Sequence, residues 1–214
     1  MNGKILTNKK GSIGIGALIV FIAMVLVAGI AATVLTQTAN DLQMQALYSG
    51  QETLDEVATG IAVVDVEGHV DLTSDEIDKM TITVRPRAGS GDIDLSETVI
   101  ELADNSTKVV LTYDSNNYAD SPSSSGVFST NAFNLSANKF GIIVLEDADN
   151  SCENTTPIIN KGDTVMLTVN VTATFSGLAE RIDIWGNVIP EYGSWGIISF
   201  RTPATYTDEV YDLQ

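Results

Sequence analysis

No charged residue occurs between Gly11 and Asn40, and residues 13–35 read IGIGALIVFIAMVLVAGIAATVL. Wound as a helix, this run is apolar on every side, so it is predicted to be buried all round, in lipid or in protein. It is long enough to cross a hydrocarbon layer about 30 Å thick. Beyond it, Leu35, Ala39, Leu42, Ala46, Thr53 and Val57 recur at steps near three or four, with Gln, Asn and Asp on the other faces. That spacing continues the helix as an amphipathic one. Residues 12–59 as a single helix would extend about 72 Å, of which only half fits in a bilayer. Gly50 costs such a helix about 1 kcal/mol, which predicts fraying or a bend there.

Past Gly60 the period changes to two. Val165, Leu167, Val169, Val171, Ala173 and Phe175 alternate with Met166, Thr168, Asn170, Thr172 and Thr174. The alternation predicts a strand over 165–175 with one buried face. Further strands are predicted at 61–67, 80–85, 98–102, 109–113, 139–145, 181–188 and 195–200, separated by turn clusters such as Ala88-Gly89-Ser90-Gly91 and Ala103-Asp104-Asn105-Ser106. Phe140-Gly141-Ile142-Ile143-Val144-Leu145 is apolar on both parities, which places it centrally and covers both its faces. The expected class is therefore α+β: a long N-terminal hydrophobic α-helix followed by an antiparallel, immunoglobulin-like β-sandwich beginning near Thr59–Gly60.

Charge narrows the partners. The 214 residues carry 28 acids against 11 bases, a formal net charge of −17. Nucleic acid is excluded as a partner, because phosphate binding needs a basic face. One cysteine, Cys152, excludes an internal disulfide framework and a cysteine-cluster zinc site, and one histidine, His69, excludes a His-rich metal centre. Lys4, Lys9 and Lys10 precede the apolar run, and the first acid is Asp41. The basic flank and the apolar run have the make-up of an export signal. By the positive-inside rule the N-terminus stays cytoplasmic and everything beyond the helix lies outside. On topology alone this describes a membrane-anchored surface protein.

Lys9-Lys10-Gly11-Ser12 followed at once by Ile13-Gly14-Ile15-Gly16-Ala17-Leu18-Ile19-Val20 is more specific. It resembles the class III signal of type IV pilin-like proteins, whose peptidase cuts between the basic leader and a helix that is kept. More narrowly, KKGSIGIGALIVFIAMVLVAGIAATVL is similar to the N-terminus of archaellins, the subunits of the archaeal motility filament. Gly16 stands at the fifth mature position, where bacterial type IV pilins carry glutamate. In the C-terminal half, Gly162-Asp163-Thr164-Val165, Ile189-Pro190-Glu191-Tyr192-Gly193 and Phe200-Arg201-Thr202-Pro203 also resemble archaellins, more loosely.

The resemblance implies cleavage between Gly11 and Ser12, dividing the chain into a leader (1–11), a polymerisation helix (12–59) and a surface-exposed β-sandwich domain (60–214). Removing Lys4, Lys9 and Lys10 takes the side-chain balance from 11 − 28 to 8 − 28, or −20. It further implies a structural subunit, not an enzyme, that assembles with its own copies and related subunits into an extracellular filament rotated by a membrane motor. Its other partners would be a prepilin-type signal peptidase, the membrane before assembly, and motor and platform proteins at the filament base. The small residues Gly14, Gly16, Ala17, Ala23, Ala28, Gly29, Ala31 and Ala32 suit such a helix, since they let copies approach closely. An adhesion pilin with the same signal and assembly logic is the alternative.

Four Asn-x-Ser/Thr sequons, at Asn105, Asn134, Asn154 and Asn170, are candidate N-glycan acceptors on an exported surface. With 14 Asn and 39 Ser plus Thr, about two to three sequons arise by chance, so the count itself carries nothing. Residues 146–153, EDADNSCE, gather oxygen ligands but lack the glycine and final glutamate of an EF-hand loop, and read as a solvated acidic loop. Within it, Cys152 could pair only with another chain. Glu180, Asp183, Glu191 and Asp208 have no spacing that selects a catalytic pair. His69 is placed in a turn at the surface, without a nucleophile motif, and Trp185 and Trp195 in a core or an interface. No catalytic, cofactor or metal residue is expected.

Overall fold

The computed structural model describes residues 9–214, with side chains from Ile13 onward. The expected leader therefore falls mostly outside the described residues, and of Gly11 and Ser12 only the backbone is described. The chain divides into two units between Glu52 and Thr53.

The described residues of the first unit are helical, and the helix ends within the second unit. Helix α1 (Lys9–Ala58) is one helix of 50 residues. It passes through Gly50 without a break, so the predicted interruption is absent. Extending an existing helix adds a hydrogen bond for each residue fixed, and good formers on both sides of Gly50 outweigh its single penalty.

The second unit is built from strands. These are β1 (Ile61–Asp71), β2 (Glu76–Pro86), β3 (Ile93–Asp94), β4 (Val99–Ala103), β5 (Lys108–Ala119), β6 (Lys139–Glu146), β7 (Ile158–Ile159), β8 (Thr164–Asn170), β9 (Asp183–Ile189), β10 (Gly196–Arg201) and β11 (Val210–Asp212), with a short helix α2 (Val171–Phe175) after β8. Nine strands form one sheet in the order β10-β9-β4-β5-β6-β8-β2-β1-β11, while β3 and β7 form a separate ribbon. The sheet curls so that β10 returns to β1. The Ile61 N–H donates to the Ser194 carbonyl at 3.0 Å, and the Ser194 N–H donates to the Thr59 carbonyl at 2.9 Å. Between the curled halves lies one apolar core that includes Ile61, Ile82, Leu102, Phe140, Leu167 and Ile198.

All but one of the sheet's pairings are antiparallel. β5 and β6 run parallel, a departure from the expected all-antiparallel sandwich. Parallel neighbours need a long return connection. Here it is residues 120–138, a strap carrying two 3-10 turns, Val127–Ser129 and Asn131–Phe133. The strap covers the outer face of the middle strands: Ala132 and Phe133 pack on Ile143 and Met166 in a second small core. β6 is central in the order, and Phe140 through Val144 are buried, as the run apolar on both parities predicts. Its second cover is the strap.

Three local expectations are corrected. The strand predicted over 165–175 stops at Asn170, whose side-chain oxygen accepts the Ala173 N–H at 3.0 Å and caps α2. Capping outweighs alternation there, and Ser176 at φ 64° ends the helix. The remaining strand is buried on both faces, since Met166 and Thr168 lie under the strap. His69 sits inside β1, not in a turn: Gly68 is a close-approach glycine, where a Cβ would come within 3.0 Å of Leu213. The hairpin turn falls later, at residues 72–75.

Candidate functional site

The surface with the strongest demand for a partner is α1. From Ile13 to Ala58 it is long and apolar enough to cross a membrane, and none of its most apolar window is buried inside the described chain. Ile15, Phe21, Met24, Val27 and Ile30 are exposed on several faces of it. At Gly14, Gly16 and Gly29 an added Cβ would meet nothing within 4 Å, so the notches these glycines leave are open to a neighbouring helix. Three threonines complete the apolar character. The hydroxyls of Thr33, Thr36 and Thr38 donate to the carbonyls of Gly29, Ala32 and Val34 at 2.9, 2.9 and 2.8 Å. Each hydroxyl is satisfied within its own helix, so none of the three enters lipid or a helix bundle as an orphaned donor. The available signal was the residue type, since a helical threonine can donate to the carbonyl four residues before it.

Within the second unit, the turn from α1 into β1 is clamped. Thr59 is buried, and the Arg87 N–H donates to the Gly60 carbonyl at 2.8 Å while Arg87 Nε reaches the Ile61 carbonyl at 3.2 Å. Gly193 lies against this turn at φ +92°, and a Cβ there would come within 2.3 Å of the Thr59 carbonyl oxygen. The Ile189-Pro190-Glu191-Tyr192-Gly193 motif thus supplies a glycine that only glycine can replace.

The other two C-terminal motifs are also folding devices. In Gly162-Asp163-Thr164-Val165, Asp163 is 1% exposed and accepts the N–H groups of Ala148 at 3.1 Å and Asn160 at 2.8 Å. In Phe200-Arg201-Thr202-Pro203, the buried Thr202 hydroxyl accepts the Ile182 N–H at 2.7 Å and donates to the Ala179 carbonyl at 2.8 Å.

The acidic loop is more ordered than a solvated one. Asp147, Asp149 and Asp163 each bring one oxygen within 4.8 Å of the others, a group that could hold a metal ion. Sequence reading missed Asp163, which arrives from beyond the loop. The same carboxylates already accept hydrogen bonds: Asp147 from the N–H groups of Ser151 at 3.3 Å and Cys152 at 3.1 Å, and Asp149 from Asn160 Nδ2 at 2.8 Å. The Asn160 and Ser151 side chains hold the Asp149 carboxyl below its ordinary range. Cys152 is buried in the main core. Burial first, then the carboxylates of Asp147 and Asp163, push its thiol up to about 12. It is therefore unavailable for pairing with another chain in the folded state.

Of the sequons, Asn105, Asn134 and Asn154 are exposed. Asn170 is half-buried with both ends of its amide engaged, Oδ1 at Ala173 and Nδ2 donating to the Leu135 carbonyl at 3.3 Å. Two of the residues weighed for catalysis, His69 and Asp183, are engaged in other contacts. His69 Nδ1 lies 2.5 Å from Asp78 Oδ1, with its ring against Phe128 at 5.3 Å. Asp183 pairs with Arg201 at 3.6 Å. Trp185 and Trp195 are exposed rather than in the core.

The family model of archaeal-type flagellin matches residues 11–200. The chain is 48% identical to flagellin B2 of Methanocaldococcus jannaschii over 98% of its own length and 97% of that protein's. It is 39% identical to flagellin B1 of Methanococcus voltae over 98% and 97%. The crystal structure of archaeal flagellin FlaB1 from Methanocaldococcus jannaschii superposes with a TM-score of 0.67 at 34% identity, covering 73% of this chain and 98% of that one. The archaeal flagellum of Methanospirillum hungatei strain JF1 superposes at 0.62 and 14% identity over 94% and 98%, a likeness of fold. With nearly its whole length matched, from the start of the apolar helix to the last strands of the sheet, the chain belongs to the archaeal-type flagellin family.

Proposed function

We propose that this chain is a structural subunit of an archaeal motility filament, assembling with its own copies through α1 and performing no catalysis. The observation that carries the reading is α1 itself: a family member whose apolar helix is exposed on all faces within its own chain. Lipid and a bundle of identical helices satisfy that surface equally. Moving from one to the other changes apolar burial little, so close packing at the small residues decides assembly. The helix first holds the precursor in the membrane and then joins the filament core.

In this reading, residues 1–11 are a leader removed by a prepilin-type peptidase between Gly11 and Ser12. Residues 12–59 polymerise, and residues 60–214 form the extracellular surface of the filament. Motor and platform proteins at the base turn the assembly. Exported in this way, Asn105, Asn134 and Asn154 are the accessible N-glycan acceptors.

N-terminal sequencing and electron microscopy of material sheared from cells test the reading together. Filaments whose subunits begin at Ser12 are expected. Subunits beginning at Met1, lacking the helix, or remaining single in the cell envelope overturn it. Loss of swimming with attachment intact, on disruption of the coding region, separates motility from adhesion.

A further inference from the structure

The outer face of the nine-stranded sheet is covered by its own chain over only part of its width. Across β2, β8 and β6 lies the strap: the Thr168 hydroxyl donates to the Ala132 carbonyl at 2.7 Å, and Lys79 Nζ donates to the Phe128 carbonyl at 3.0 Å. Across β5, β4, β9 and β10 no such cover exists among the described residues. The register there sets Val110, Glu101, Asn187 and Ile197 in one cross-strand row, and Lys108, Ala103, Trp185 and Ser199 in the next. Val110, Trp185 and Ile197 are 46%, 47% and 60% exposed. An apolar, aromatic-bearing patch left bare on a sheet face has the composition of an interface.

Charge identifies the occupant. The chain as a whole carries −17, yet the acids of these two rows and the row beside them are each paired. Lys108 Nζ sits 2.9 Å from Glu101 Oε2, and Arg201 Nε sits 3.6 Å from Asp183 Oδ1. Two bases balance two acids. For a strongly acidic chain approaching its own copy, a face of zero local charge is the approach with the least repulsion, whereas a basic partner would be drawn elsewhere. The edge beside the face is closed: Gln214 Oε1 accepts the Ser199 N–H at 2.6 Å and its Nε2 donates to the Ile197 carbonyl at 3.1 Å. A partner therefore covers the face and does not extend the sheet.

We propose that the outer face of β5, β4, β9 and β10 packs against the outer domain of a second copy of this chain, with Trp185 and Ile197 in the contact. This rests on the filament reading above. The test is hydroxyl-radical oxidation of sheared wild-type filaments and of the same subunits after dissociation, with Trp185 oxidation read by mass spectrometry. Trp185 is expected to oxidise severalfold more slowly in the filament. In parallel, Ser199→Cys, an exposed position in the Trp185 row, is labelled with a maleimide against Ser124→Cys on the strap. The Ser199→Cys thiol is expected to be shielded on assembly relative to the Ser124→Cys thiol. Trp185 oxidised equally fast in both states overturns the proposal, as does equal slowing at both cysteines, while the filament reading survives. Absence of any filament overturns the filament reading, and this proposal with it.

Discussion

Gly141 stands directly across the ladder from Thr168, and its missing side chain is what allows the Thr168 hydroxyl to hold the strap. A Cβ at Gly141 would come within 2.3 Å of the Asn117 carbonyl oxygen and 2.6 Å of the Ala132 carbonyl oxygen. Gly141→Ala is expected to cost about 1–3 kcal/mol by overpacking. Thr168→Val, which leaves the Ala132 carbonyl without its donor, is expected to cost about 1–3 kcal/mol. Thermal unfolding measures both, at roughly 2–4 °C per kcal/mol for a chain of this size. Limited proteolysis within residues 120–138 should accelerate in each variant. Unchanged unfolding and cleavage in Gly141→Ala would show that the strap does not depend on this contact.

The same pair shows what could be read in the sequence and what could not. Phe140 to Leu145 announced a central strand through its composition, because burial on both faces selects apolar residues at every position. What covers the second face was not legible, since residues 120–138 are polar and turn-like and their role depends on tertiary proximity. Helix α1 was legible as one long apolar helix, because an all-apolar run has few other fates, although the interruption expected at Gly50 is absent. The hydroxyls of Thr33, Thr36 and Thr38 are satisfied within the helix, which composition alone does not show. Period-two alternation misled at Val171–Phe175, where Asn170 supplies a helix cap. Gly68 misled for the reverse reason: glycine marks close approach as well as turns, and local sequence does not distinguish the two. The motifs shared with archaellins pointed to family, while their physical content, such as Gly193 against the Thr59 carbonyl, became visible only in three dimensions.

Burial at Cys152 leads to a prediction about reactivity. The thiol lies in the core and is pushed up to about 12 by burial and by Asp147 and Asp163, so little thiolate exists at neutral pH and reagents cannot reach it. Folded wild-type chain is expected to resist maleimide labelling, and denatured chain to react fully. Labelling followed against denaturant should coincide with global unfolding. Rapid labelling of the folded protein, or disulfide-linked dimers in non-reducing gels of folded material, would contradict the packing described.

Engagement of the Asn170 amide separates the four sequons. Attachment of a sugar to Nδ2 would displace its bond to the Leu135 carbonyl, and the attached residue would have to fit where the strap meets α2. Asn105, Asn134 and Asn154 have no such obstacle. Glycopeptide mapping of mature subunits should place any N-glycan on these three and leave Asn170 bare. Substantial occupancy at Asn170 would require local rearrangement there and would count against this assignment.

On the edge strand, β11 sets Asp212 opposite Glu67 of β1, and Asp65 interacts with both. Thr81 faces Glu67 and Thr83 faces Asp65 from β2, so neither residue has a basic partner across that ladder, while His69 is taken by Asp78. Burial, and then the neighbouring carboxylates, raise the Asp65 and Glu67 carboxyls above their ordinary values. A carboxyl raised in the folded state binds its proton more tightly there than in the unfolded chain. Its contribution to stability is greatest below the ordinary carboxylate range and is lost as pH rises through the raised values. Asp71 and Asp114, held below their ordinary values first by backbone N–H groups of Thr73 and Asn116, act in the opposite sense and are common to any variant at this edge. The difference between wild type and Asp212→Asn therefore isolates the edge. From about pH 4 toward about pH 7 the variant is expected to gain on wild type by a few degrees in melting temperature, with the two nearly equal at the acid end. Parallel melting curves across that range would mean that the carboxylates of β1 and β11 do not repel as their register implies.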